Sequence, residues 1–298
     1  MTAIVLGAAA GGGYPQWNCR CPVCRLAWEG DGRVKSCTQA SVAVSADGAR
    51  WVLLNASPDL RAQLGATRAL HPRAGLRHSP IDAVVLTGAE IDQIGGLINL
   101  RERQAFVLYG TAQTLAALAA NPMFAALAPD VVTRRALAPG EAFAPAPGLE
   151  AELFLVPGKV PLYLERGEPE IGAETGANVG VEVRAGGTRL VFVPGAAAVT
   201  PALEERLARA DVVLFDGTLF TDDEMIRTGT GAKTGRRMGH MPIDGADGSL
   251  AALAGLSARR IYIHINNTNP LHVAGSPERS QVEAAGWEIA ADRMEIVL

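Results

Sequence analysis

Three cysteines fall within six residues, in the run Cys19-Arg20-Cys21-Pro22-Val23-Cys24. Thiolates so crowded can wrap one tetrahedral ion, since zinc takes sulfur at about 2.3 Å and its structural sites are four-coordinate. The fourth ligand must come from elsewhere. His264, at the end of an apolar strand, is the strongest candidate, and Cys37 is the runner-up. A redox dithiol is the rival chemistry, because Cys21 and Cys24 have Cys-x-x-Cys spacing. That reading lacks a helix N-terminus of the thioredoxin kind and leaves the third thiol unexplained. Four cysteines in a chain of 298 residues do not make a disulfide scaffold.

A second constellation is more dispersed. Glu90, Asp92, Asp216 and His240 stand at or beyond the ends of expected strands. Two carboxylates and an imidazole on one face would suit Fe(II) and leave positions open for O2 and substrate. Glu90 and Asp92 share a side if their turn is extended, because alternate residues of an extended chain face the same way. Each has a plainer reading: Glu90 a solvated loop carboxylate, Asp92 a helix cap, Asp216 a turn holder, His240 a surface histidine. Gln93 is a poor metal ligand and suits hydrogen bonding to ligands or substrate. Arg236, Arg237 and Lys233 are natural clamps for carboxylates. Asn267 and Asn269, in a tight polar loop with Asn266, either touch substrate or satisfy turn backbone. His71, His78 and His272 have no supporting context and read as surface residues.

The elements that must position these groups alternate strand and helix. Strand signals occur at Ile4–Leu6, Ser41–Val44, Trp51–Asn55, Ala83–Leu86 and Phe106–Tyr109, and again at Leu153–Val156, Asn178–Arg184, Leu190–Val193, Val212–Phe215 and Arg260–Ile265. Helices are expected from Asp59, near Gly95, from Ala112, over Pro201–Ala210 and around Gly248–Ala254. The pattern predicts an α/β sandwich, two mixed β-sheets packed together with helices outside, as a single domain over residues 1–298 with a zinc-binding loop at about 14–30. The polar stretch Glu165–Thr175 reads as a mobile loop. The glycine run Gly7 to Gly13 is no dinucleotide fingerprint, because Tyr14-Pro15-Gln16-Trp17 and the cysteines follow it rather than a helix.

Composition narrows the class. The chain is 48% hydrophobic and 19% charged, with a formal net charge of −4, so nothing basic enough for nucleic acid is present. No charged segment followed by an apolar run opens it, and no apolar stretch is long enough to span a membrane, so a cytoplasmic protein is expected.

The stretch Thr87-Gly88-Ala89-Glu90-Ile91-Asp92-Gln93-Ile94-Gly95-Gly96 resembles the strand-end motif of metallo-β-lactamase-fold hydrolases, His-x-His-x-Asp-His followed by glycines. Gly88, Glu90 and Gln93 stand where the histidines would be, and Asp92 alone keeps its type. Around Pro157-Gly158-Lys159, where those enzymes supply another histidine, there is none. The departures argue against a β-lactamase or other ordinary metallohydrolase. Gly11 to Cys24, Asn55-Ala56-Ser57-Pro58-Asp59, Asp216-Gly217-Thr218, Thr234 to His240 and His264 to Pro270 are together similar to the pyrroloquinoline quinone (PQQ) biosynthesis protein B family. That resemblance implies the metallo-β-lactamase-like αββα fold. It also implies an iron-dependent hydroxylase acting, with O2 and a reductant, on the tyrosine ring of a Glu-Tyr cross-linked diamino acid excised from a peptide, beside other enzymes of the pathway. An older family reading is a carrier that helps move the finished quinone out of the cell.

Overall fold

A computed structural model describes all 298 residues. Fourteen strands form two seven-stranded mixed sheets. The first half supplies β1 (Thr2–Gly7), β2 (Ser41–Ser45), β3 (Trp51–Leu54), β4 (Ile81–Val85), β5 (Phe106–Thr111) and β6 (Val132–Leu137). The second supplies β7 (Ala142–Ala146), β8 (Leu149–Leu155), β9 (Val179–Ala185), β10 (Thr188–Val193), β11 (Val212–Asp216), β12 (Arg259–Ile263), β13 (Trp287–Ile289) and β14 (Glu295–Val297). One sheet runs β14-β1-β2-β3-β4-β5-β6 and the other β13-β12-β11-β10-β9-β8-β7, so the C-terminal strand returns to the edge of the first sheet.

Strand alternation builds the layers. On β4, Ala83 and Val85 face the other sheet and Val84 faces outward under the helices, where Ile81 joins it because the register with β3 shifts between Trp51 and Val52. On β11, Val212 and Leu214 point between the sheets, and Val213 and Phe215 pack under the second helical layer. Near-continuous apolar runs such as Ala83–Leu86 are what strands buried on both faces require. The expected αββα sandwich is the architecture observed.

Local differences have physical causes. The turn after Ile94 is a 3-10 helix, Gly95–Leu100, in which Gly96 lies against backbone: a Cβ there would stand 1.9 Å from the Ser57 carbonyl oxygen. A helix, Pro22–Trp28, does form in the cysteine run, with Cys21 at its N-cap and Pro22 in its first turn. The helix N-terminus that the sequence reading found missing is therefore present. Strands β6, β7, β13 and β14 escape the hydrophobic pattern because they are short or expose most of their length, as edges do.

Strands β3, β4 and β5 run parallel, as do β10, β11 and β12. Chain leaving the C-terminal ends of β4, β11 and β12 therefore converges at one end of the sandwich, where open α/β sheets place their ligands. A cavity of about 940 Å³ lies at the other ends, beside Arg50, Asp82 and Arg184.

Candidate metal centres

Two clusters of metal-ligating side chains occur. The first is Cys19, Cys21 and Cys24, whose sulfurs lie within 4.8 Å of one another. Helix geometry sets part of this: the Cys21 sulfur caps the helix by accepting from the Cys24 backbone N–H at 3.4 Å. The non-sulfur atom facing the thiols belongs to Asn267, whose carbonyl oxygen is 3.8 Å from Cys21 Sγ and 3.6 Å from Cys24 Sγ. Its side-chain amide donates to Cys24 Sγ at 3.3 Å. The Cys21 thiol donating to Cys24 holds the Cys24 thiol below its ordinary pKa, while Cys21 is pushed up by that same bond and by burial. Three soft sulfurs and one oxygen compose a donor set that fits zinc.

His264 is not part of this cluster. At the end of β12 strict alternation would set it on the outer face with Tyr262, but its backbone turns left-handed, with φ of 60°. Its ring joins Asp216 and His240 instead. His264 Nε2 stands 2.7 Å from Asp92 Oδ2, and Nδ1 stands 2.8 Å from Thr218 Oγ1. The His240 and His264 rings stack at 5.3 Å, and His240 Nδ1 is 2.7 Å from Asp216 Oδ2. The expectation of His264 as the zinc's fourth ligand is thus corrected by one backbone torsion. Cys37, the runner-up, directs its thiol to the Lys35 carbonyl.

Burial and charge compete in the second cluster. Burial alone would raise the carboxylate pKa values, but the hydrogen bond and charge of His264 hold Asp92 low. The charge of His240, with its hydrogen bond, does the same for Asp216. Burial would conversely lower His264, and Asp92 outweighs it and raises the imidazole. Side chains at Gly11 and Gly195 would stand 3.5 Å from Asp92 Oδ2 and 3.3 Å from His240 Cε1, so these glycines keep the approach to the cluster open.

Glu90 departs from its expected place. It caps the short helix Ile91–Ile94 while Asp92 sits inside that helix, so the two do not share a face. Its carboxylate accepts from Lys159 Nζ at 3.3 Å and the Leu162 backbone N–H at 3.0 Å, with no hydrogen bond to either imidazole, while its charge still helps raise His264. Gln93 completes the cap, its oxygen accepting from the Glu90 N–H at 3.0 Å and its amide donating to Thr87. Gln93 is buried, with both ends of its amide engaged within the protein.

The expected anion clamps are partly engaged. Arg237 pairs with Glu165 at 3.1 Å, and Arg236 with Asp247. Lys233 is half-buried in the adjoining turn. Lys159, a cation the sequence reading passed over, also reaches Glu165 at 3.1 Å. The Arg237 guanidinium is the main reason the Glu165 carboxyl is held down to about 2. Asn267 and Asn269 turn their side chains to the protein itself, Asn269 to turn backbone. Asn267 is buried against the thiols, and Asn269 spends its amide on the Gly217 and Thr218 carbonyls while its oxygen accepts from the Leu271 N–H. His272 is buried too, stacked on Tyr14 with ring centroids 3.9 Å apart.

Comparison with known proteins decides the family. A model described as the beta-lactamase superfamily domain matches residues 50–265. The coenzyme PQQ synthesis protein B of Methylobacterium nodulans is 58% identical over 299 residues, covering 100% of both chains. The chain belongs to the coenzyme PQQ synthesis protein B family. The Rhizobium meliloti relative of that name is 56% identical over 296 residues, 99% of this chain and 97% of its own. A solved structure of Zn(2+)-bound PqqB from Methylobacterium extorquens superposes with a TM-score of 0.99 at 55% identity, covering 100% of both chains. A diphosphatase of the PhnP family shares the fold alone, with a TM-score of 0.67 at 20% identity over 99% of this chain and 97% of its own. Family membership places the three cysteines and the Asp92–His264 pair in a protein of PQQ synthesis. No helix is long and apolar enough to cross a membrane.

Proposed function

We propose that this protein serves PQQ synthesis as a metal-dependent hydroxylase, with a structural zinc at Cys19, Cys21 and Cys24 and Fe(II) held by Asp92, His240 and His264. The observation that carries the reading is the convergence of two stacked imidazoles and a buried carboxylate behind an approach kept open by glycine. Nitrogen and oxygen donors of this kind suit Fe(II) with positions left free. A bound ferrous ion would supply O2 activation.

The protein's own residues do the rest. Asp216 and Thr218 hold the imidazoles, and the low dielectric of the buried cluster strengthens every charge contact there. Lys159 and Arg237, which now share Glu165, offer two cations to a substrate bearing several carboxylates. The substrate class is the tyrosine ring of the Glu-Tyr cross-linked diamino acid. One atom of O2 enters the ring and the other leaves as water, with two electrons from an external reductant.

A carrier that binds the quinone without chemistry is the second reading. Gly88 favours it: at the position of a lost histidine, a Cβ would stand 2.5 Å from Gln93 Oε1 and 3.0 Å from the Ala177 carbonyl. The dinuclear hydrolase site has been packed shut there.

Anaerobically purified protein, analysed for metals before and after Fe(II) loading and then given the diamino acid, O2 and a reductant, separates the two. One zinc, one further iron and O2-dependent hydroxylated product support the enzyme. A single zinc with quinone binding and no turnover moves the function to the carrier.

A further inference from the structure

The Asp216-Gly217-Thr218 turn leaves β11 so close to β12 that a Cβ at Gly217 would stand 2.9 Å from Tyr262 Cβ. The Gly217 N–H donates to the Ile263 carbonyl at 2.7 Å, which fixes the turn. Alternation then sends Asp216 and Thr218 to one side, beneath both imidazoles.

The shortest contacts there set one assignment of donors and acceptors. Asp216 is fully buried, and backbone N–H groups, which can only donate, point at both its oxygens. Oδ2 takes the Ala196 N–H at 2.9 Å and His240 Nδ1 at 2.7 Å. Oδ1 takes the Thr218 N–H at 3.0 Å and the Thr218 hydroxyl at 2.6 Å. That last bond is the shortest open to the single hydroxyl proton, whose other acceptors, the His264 carbonyl and His240 Nδ1, stand 3.1 Å away. With its proton on Asp216, Thr218 Oγ1 accepts from His264 Nδ1, 2.8 Å away. Both imidazoles carry a proton on Nδ1, one tied to Asp216 directly and the other through Thr218. Both Nε2 atoms are left for a cation, and His264 Nε2 faces Asp92 Oδ2 at 2.7 Å.

We infer that Thr218 is a positioning residue, relaying the Asp216 carboxylate to His264 so that Asp216 orients both metal-binding imidazoles while its own oxygens stay saturated by four donors. The inference rests on the reading of this cluster as a metal site. A hydrogen-bond partner behind a ligating imidazole fixes its tautomer and ring orientation, and its loss typically costs about 10–100-fold in metal affinity.

The test measures Co2+ affinity by chelator competition on zinc-retaining protein, for wild type, Thr218→Val and Thr218→Ser. The expected result is a loss of about 10–100-fold for Thr218→Val and recovery to within about threefold for Thr218→Ser. Cysteine-bound zinc should be unchanged in both. Should Thr218→Val bind as well as wild type, or Thr218→Ser fail equally, the relay is overturned while the metal site stands. If wild type takes up no Co2+ beyond the cysteine site, the metal-site reading falls with it. Should Thr218→Val not fold, ¹⁵N NMR of zinc-loaded wild type decides: slowly exchanging Nδ1–H signals on both histidines support the relay, and an Nε2–H signal on either overturns it.

Discussion

His264 Nε2 and Asp92 Oδ2 lie 2.7 Å apart across 172 residues of sequence. Asp92 follows β4 of the first sheet and His264 follows β12 of the second, so the pair joins the two halves of the molecule where the parallel strands end. In the proposed metal site, proton and metal compete for the place between these atoms.

Replacing Asp92 with Asn removes the charge that raises His264 and leaves the cysteine cluster untouched. Metal analysis should find zinc retained and the second metal lost. In wild type, uptake of the second metal should release a proton, detectable as a buffer-dependent heat in calorimetry, and weaken as pH falls. Equal iron content in Asp92→Asn and wild type would remove Asp92 from the site.

Cys24→Ser deletes a buried thiolate from the first cluster. Zinc content should fall to near zero and thermal stability with it. Even about 2 kcal/mol of lost stability would shift Tm by about 3 °C in a chain of this length. Unchanged zinc would mean that the three sulfurs do not hold it.

Glu90→Gln should leave both metals in place. The carboxylate secures the segment Lys159–Leu162 through Lys159 Nζ and the Leu162 N–H. Weakening it should speed limited proteolysis between residues 159 and 176 several-fold. Loss of the second metal instead would make Glu90 a ligand after all.

Acid stability carries the signature of His272, whose pKa burial depresses to about 4 from an ordinary 6.5. Between those values the unfolded chain binds the proton and the folded one does not. The stabilisation is complete above pH 6.5 and drains away as pH falls towards 4. Its upper limit is roughly 3 kcal/mol. His272→Phe keeps an aromatic ring on Tyr14 without the titration, so urea midpoints at pH 7 and pH 4.5 should converge relative to wild type. A variant with the same acid sensitivity would clear His272.

The cysteine cluster and the sandwich were legible because local spacing and strand periodicity encode them. The direction of His264 was not, since a positive φ at a non-glycine residue leaves no trace in a hydrophobic pattern. Glu90 and Asp92 diverge because a helix begins between them, and Gln93, three residues after Glu90, was the overlooked sign of that cap. His272 reads as a surface residue and is buried by contacts from distant segments, while of the two readings open for Asn269 the structure shows it bonding turn backbone. Thr218 had a readable signal, as its spacing from Asp216 places both on one side of the chain, but its partners are made only by folding.

The segment His264–Asn267 gives one strut of backbone two loads. Its first residue turns an imidazole towards Asp92, and its last turns a carbonyl towards Cys21 and Cys24. Three peptide links of about 3.8 Å each have little slack to absorb a shift at either end. Oxidation or stripping of the thiols is therefore felt as a tug on the imidazole, and the health of the sulfur anchor sets how firmly the distant ring is aimed.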